Sequence, residues 1–90
     1  ENILVDAQKF ESEGDFRSAL EKYKEIAMLE DNTEAHFKVG EMHHQLGELP
    51  KALSAYIRVT DLQPDHKKAN VKIEMIQSIM NFFNPDLYNP

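Results

Sequence analysis

The sequence predicts an all-α protein made of two helix–turn–helix units and a closing helix, and three observations support this fold class. Apolar residues recur at spacings of three and four along most of the chain, which is the period of amphipathic helices. Two similar segments, GDFRSALEKYKEIAMLED and GELPKALSAYIRVTDLQP, lie 33 residues apart (47 − 14 = 33). The glycine that opens each segment, Gly14 or Gly47, is typical of the residue just after a helix, where a positive φ is cheap only for glycine.

The first unit is predicted to contain a helix over about 2–13 and a second helix after Gly14. Asp15 has the side chain of an N-cap residue for that second helix. The second helix carries an apolar face at helical spacing, namely Phe16, Ala19, Leu20, Tyr23, Ile26 and Ala27.

The second unit repeats this arrangement. Its first helix is predicted over about 34–46, with Thr33 as N-cap, and it ends before Gly47. Pro50 suits the first turn of the following helix, where a missing N–H costs nothing. The apolar face of that helix comprises Leu49, Ala52, Leu53, Tyr56, Val59 and Thr60.

A fifth helix is predicted after Pro64, with Asp65 as N-cap and a span from His66 to Phe82 or Phe83. Its apolar face consists of Ala69, Ile73, Ile76 and Met80. The helix should stop at the Asn-Pro pair that follows, because the residue before a proline disfavours the helical conformation. The remaining residues, 84–90, have no periodicity and are expected to be extended.

Composition excludes several classes of function. The 16 acidic and 10 basic residues give a net charge of −6, which disfavours nucleic acid and anionic membranes as partners. There is no cysteine, so disulfides, zinc–thiolate sites and thiol catalysis are ruled out. The longest uninterrupted apolar stretch is residues 26–29, far short of a membrane span or a secretory signal. These features favour a cytoplasmic location.

No pattern in the chain predicts an enzyme, a metal site or a cofactor. His43 and His44 are adjacent and point about 100° apart on a helix, while His36 and His43 lie about 10 Å apart along its axis. His43 is expected to be partly buried between helices. Neighbouring acids are interpreted as solvated helix faces; these are Glu11 with Glu13, Glu21 with Glu25, and Glu30 with Asp31. No phosphate-binding glycine run, GxSxG or HExxH occurs.

The repeat resembles the tetratricopeptide family of 34-residue helix–turn–helix units. The second unit, 33–66, matches that pattern at His36, Val39, Gly40, His43, Gly47, Leu49, Ala52, Tyr56, Val59 and Pro64. The first unit matches at Ala7, Phe10, Gly14, Phe16, Ala19, Tyr23 and Ile26, and departs from it at Asp6 and Asp31. Gly40 and Ala52 are small where paired helices approach closely.

The resemblance implies a right-handed α-solenoid fragment forming a single domain over 1–90. Its parts are a first repeat over about 2–32, a second repeat over 33–66, a capping helix over 67–83 and a tail over 84–90. The aromatic end of the chain is also similar to that of small bacterial tandem-tetratricopeptide proteins without an established activity; it comprises Asn81, Phe82, Phe83, Asp86, Leu87, Tyr88 and Asn89.

By the same resemblance, the chain is expected to be a protein–protein interaction module that binds a peptide or partner segment in a concave groove. The residues implied for this groove are Leu4, Gln8, Phe37, Lys38, Glu41, His44, Lys68, Val71, Lys72 and Met75. Among them, Lys38, Lys68 and Lys72 form a basic strip. Apolar residues form a second strip that consists of Leu4, Val5, Phe37, Val71, Met75 and Ile79.

Several alternatives remain open from sequence alone. Family members that clamp a peptide carboxylate have five specific polar positions, of which only Lys68 and Lys72 match here, so the lysines also fit an ordinary charged surface. The groove could instead be filled by the chain's own aromatic tail or by a second copy in a homodimer. The chain would then be a self-associating structural module or the terminal cap of a longer array. The sequence does not identify the partner.

Overall fold

A computed structural model of the protein describes residues 2–83, and its ordered elements in that range are five α-helices with no β-strand. They are α1 (Ile3–Ser12), α2 (Phe16–Glu30), α3 (Thr33–Gln45), α4 (Leu49–Leu62) and α5 (Lys67–Phe83). The all-α prediction is confirmed. The expectations for residues 84–90 and for the side chain of Phe83 lie outside the described part of the chain.

The helices pack as a series of neighbours. Contacts join α1 to α2, α2 to α3, α3 to α4 and α4 to α5. The buried apolar residues accordingly fall into two clusters rather than one centre. The first lies among α1, α2 and α3 and contains Ala7, Ala19, Leu20, Tyr23, Ala27, Ala35, Val39 and Met42. The second joins α3, α4 and α5 and contains Phe37, Ala52, Tyr56, Val59, Ala69 and Ile76.

The turn inside each unit forms as the sequence predicts. Gly14 and Gly47 adopt φ values of +79° and +76°, in the region that glycine enters without steric cost. The Asp15 side chain accepts a hydrogen bond from the backbone N–H of Ser18 at 3.1 Å and caps α2. Pro50 lies in the first turn of α4.

Two predicted N-caps are wrong by one residue. Thr33 is already helical, and Asn32 caps α3 by accepting the N–H of Ala35 at 3.2 Å from an extended backbone conformation. At α5 the cap is His66 rather than Asp65, because His66 Nδ1 accepts the N–H of Ala69 at 3.1 Å. In both helices the capping side chain accepts a hydrogen bond from the backbone N–H three residues later. The cap precedes the predicted residue by one position in α3 and follows it by one position in α5.

The turn between the two units is held by Asp31. Its φ of +50° places a non-glycine residue in the left-handed region, and it ends α2 where the tetratricopeptide pattern has proline. Its carboxylate accepts a hydrogen bond from Arg58 of α4 at 2.7 Å and pairs with His36 Nε2 at 2.9 Å. Asp31 therefore links α2, α3 and α4 and is not merely part of a solvated acidic pair, as the sequence suggested.

Candidate functional site

The face formed by α1, α3 and α5 contains three adjoining hollows and a more open fourth one of about 400 Å³ beside Val71, and this surface is called the groove below. One hollow lies between α1 and α3, beside Leu4, Gln8 and Lys38. A larger one of about 490 Å³ lies between α3 and the start of α5, beside Phe37 and Lys68. A smaller one, about 140 Å³, lies farther along α3 and is bordered by Glu11 of α1 and Lys72 of α5. Lys38 borders all three.

The predicted binding residues fall largely on this face. Eight of the ten border the three hollows, namely Leu4, Gln8, Phe37, Lys38, Glu41, His44, Lys68 and Lys72. Val71 lies beside Phe37 and Lys72 on the open α5 side of the groove, and Met75 lies on α5 with 37% of its surface exposed. The structure thus places nine of the ten on one surface, all except Met75, and their role in binding stays a prediction.

The apolar strip differs from the predicted one at its centre. Phe37 is only 8% exposed, and its ring packs 5.3 Å from the rings of both Tyr56 and His66. It belongs to the second buried cluster, because α4 and the α4–α5 turn close over it. Leu4 and Val5 at one end and Val71 at the other remain exposed.

The basic strip is also shorter than predicted. Lys38 Nζ lies 3.2 Å from Glu11 and 3.3 Å from Glu41, and it sits 5.9 Å from the centre of the Tyr23 ring. Burial lowers the pKa of Lys38, but the two carboxylates outweigh it, so that the net pKa is raised. The sequence could not show this pairing, since Glu11 comes from α1 and Lys38 from α3. Among described residues, Lys68 and Lys72 make no ion pair.

Glu11 of α1 bonds to side chains of α2 and α3. The interpretation of Glu11 and Glu13 as a solvated helix face is therefore wrong for Glu11. Glu11 accepts a hydrogen bond from the Tyr23 hydroxyl of α2 at 2.7 Å while pairing with Lys38 of α3. Burial and then the Glu11 hydrogen bond raise the pKa of Tyr23. Sequence reasoning missed this contact, because Glu11 and Tyr23 lie on different helices and meet only when α1 packs against α2.

Tyr56 is buried completely and differs from Tyr23 in one respect. Its hydroxyl has no hydrogen-bond partner within the described part of the protein. The ring crosses α3 at Gly40, where the Cβ of any larger residue would stand only 2.6 Å from Tyr56 Cε1. This is the close approach that the small residue at position 40 predicted. Burial and then the charge of Glu41 raise the pKa of Tyr56.

Two of the four histidines, His36 and His43, pair with carboxylates, whereas His44 and His66 border the groove. His43 is 8% exposed, as its expected packing position implies, and its Nδ1 lies 2.8 Å from Glu48. The Glu48 carboxylate also accepts a hydrogen bond from the Arg17 guanidinium of α2 at 2.7 Å. In residues 2–83 no three histidine, aspartate or glutamate side chains are grouped to hold a metal ion. No helix in that range is long and apolar enough to cross a membrane.

Comparison with known proteins gives a distant likeness. No protein-family profile matches the chain. The chain is 31% identical over 74 residues to DnaJ homolog subfamily C member 3 of Homo sapiens, and equally to the protein of that name from Mus musculus. These matches cover 81% of this chain and 15% of each relative, so the chain spans a small part of the length of the curated relatives it matches. The likeness is compatible with a protein-interaction module.

Proposed function

We propose that the chain is a non-catalytic protein-interaction module of the tetratricopeptide kind, which binds an extended peptide or partner segment along the groove. The observation that carries the proposal is the groove itself, a face of three adjoining hollows built by the first helix of each unit and by α5. The 33-residue repeat, the neighbour-to-neighbour helix packing and the likeness to part of a larger protein support it.

The α5 side of the groove is the better anchor for a partner. Val71 is 63% exposed beside Phe37, and it stands between Lys68 and Lys72, which have no ion pair in residues 2–83. An apolar side chain flanked by free cations suits a segment that carries both apolar and acidic residues. By contrast, Lys38 in the middle of the groove is already neutralised by Glu11 and Glu41.

Selection from a random peptide library tests this function directly. Enriched peptides would be titrated by fluorescence anisotropy against the wild type and against Val71→Glu and Lys68→Glu. We expect each substitution to weaken binding by about tenfold or more, because both residues lie at the exposed α5 side of the groove. Ile57→Glu is the matched control, since Ile57 lies on α4, is 40% exposed and borders none of the three hollows. Failure to enrich any peptide, or equal losses with Ile57→Glu, would contradict the groove assignment.

Self-association is the alternative function, and one surface favours it. Met28 and Leu29 expose 86% and 73% of their area at the end of α2, outside the groove. Sedimentation equilibrium at several concentrations separates the two proposals. A monomer whose Met28→Glu variant sediments identically would leave only the peptide-binding module, whereas a dimer that Met28→Glu dissociates would establish self-association.

A further inference from the structure

The two units contain equivalent three-residue sets, but only the first set is complete. In the first, the Tyr23 hydroxyl and Lys38 Nζ both bind the carboxylate of Glu11. One repeat later, Tyr56 takes the place of Tyr23 and His44 takes the place of Glu11. Lys72 takes the place of Lys38, since Lys72 is the sixth residue of α5 and Lys38 is the sixth residue of α3. The second set therefore has both donors but lacks the carboxylate.

The structure brings the second set to one hollow, but without the hydrogen bonds that join the first. Tyr56, His44 and Lys72 all border the 140 Å³ hollow of the groove. The Tyr56 hydroxyl is buried without a partner among described residues, although a buried donor left unpaired is costly. Within residues 2–83, Lys72 has no ion pair and His44 makes no hydrogen bond through its ring.

The other charges facing the hollow are already engaged with one another. Glu11 and Glu41 border it, and both are held by Lys38, at 3.2 and 3.3 Å. Glu41 is close enough to Tyr56 to raise the pKa of its hydroxyl but makes no hydrogen bond to it. Lys72 is thus the lysine on this wall that has no ion pair among the described residues, and the formal charges of the wall, two carboxylates and two lysines, balance. The volume exceeds that of a water molecule several times and admits the end of an acidic side chain.

We propose that this hollow is a carboxylate subsite, in which an aspartate or glutamate side chain of the bound segment accepts hydrogen bonds from the Tyr56 hydroxyl and Lys72 Nζ. The bound carboxylate accepts the hydrogen bonds that Glu11 accepts in the first unit, and it lies beside the His44 side chain that stands at the equivalent position. This proposal rests on the proposed function, because the carboxylate comes from the bound segment. The chemistry of the subsite is inferred from the Glu11–Tyr23–Lys38 set of the first unit. A partner carboxylate completes the second unit, whereas the first unit is complete without a partner.

The stability of the free protein provides the first test. Tyr23→Phe removes a bond to a carboxylate and should raise the unfolding equilibrium constant by about tenfold or more. Tyr56→Phe should leave it unchanged or lower it, because no bond is lost. His44→Glu supplies the absent carboxylate and should lower the unfolding constant, and this gain should vanish in a Tyr56→Phe background. Equal destabilisation by the two Tyr→Phe changes would overturn the proposal, since Tyr56 would then be satisfied internally, for example by Glu41.

A small probe tests binding without a partner protein. N-acetyl-glutamate amide, titrated by NMR, should produce saturable shifts at His44 and Lys72, and the glutamine analogue should not. Tyr56→Phe and His44→Glu should abolish those shifts. Non-saturable shifts, or shifts that survive Tyr56→Phe, would show only general attraction to lysine and overturn the subsite.

The same variants separate the subsite from the wider function. A library-selected peptide that Val71→Glu weakens, but that Tyr56→Phe and His44→Glu do not, overturns the subsite while the proposed function stands. If N-acetyl-glutamate amide binds saturably but no peptide is selected from the library, the subsite stands and the peptide-binding function is overturned. Support for both requires that replacing an acidic residue of the peptide and introducing His44→Glu have non-additive effects.

Discussion

At the scale of single residues, the closest contact in the second unit joins Gly40 of α3 to Tyr56 of α4. The Tyr56 ring lies where any larger residue at position 40 would place its Cβ, at 2.6–2.9 Å from three ring atoms. The ring is fully buried and packs on Phe37, so it has little room to shift. Gly40 therefore sets the distance between α3 and α4.

Gly40→Ala should consequently destabilise the protein, although alanine is the better helix former. We expect a loss of about 1–3 kcal/mol, because overpacking forces a displacement of the ring or of the helix. Urea denaturation followed by circular dichroism measures this change. Ser78→Ala on the exposed side of α5 is the control and should stay within about 0.5 kcal/mol of the wild type. A stabilised Gly40→Ala variant would mean that helix propensity outweighs the contact.

At the scale of the helices, Glu48 connects three of them at the start of α4. Its carboxylate pairs with Arg17 of α2 and with His43 of α3, at 2.7 and 2.8 Å. The Arg17 hydrogen bond first, and the His43 bond next, lower the pKa of Glu48 from 4.5 to about 2. This carboxylate ties α4 to its neighbours, even though its side chain makes no N-cap hydrogen bond.

The lowered pKa fixes how this link responds to acid. Because the folded-state pKa lies below the unfolded one, the stabilisation is complete above about pH 4.5 and is lost as the pH falls towards 2. Glu48→Gln should therefore lower stability at neutral pH and flatten its decline between these values. Asp31, whose pKa is lowered by His36 and then Arg58, preserves part of the decline.

Urea midpoints measured across that pH range check this expectation. Glu74→Gln is the matched control, since Glu74 lies exposed on α5 without an ion pair in residues 2–83. Its curve should run parallel to that of the wild type. The interpretation fails if Glu48→Gln runs parallel as well.

At the scale of the whole molecule, the sequence predicts the features that depend on local residue spacing, but it does not predict the side-chain contacts that form only when helices pack together. The five helices, the two glycine turns and the Asp15 cap follow from periodicity and turn chemistry within a few residues of each position. The neutralisation of Lys38 by Glu11 does not, because the two residues are 27 apart and meet only once α1 and α3 pack around Tyr23. The sequence also places Phe37 on the right helix, but the burial of its ring depends on α4 and His66.

The same neighbour-to-neighbour packing predicts how the molecule opens. Each interior helix has two partners, whereas α1 contacts α2 and α5 contacts α4 as their main partners. Stability in such a stack is roughly a sum of repeat and interface terms, so that the ends open without the middle. Native-state hydrogen exchange should show amides of α1 and α5 exchanging on the order of tenfold or more faster than those of α3. A ligand at the Tyr56–Lys72 subsite should slow exchange in α5 more than in α1, because Lys72 belongs to α5. Uniform protection across all five helices would instead mean that the chain unfolds as one cooperative unit, and the nearest-neighbour description would be wrong.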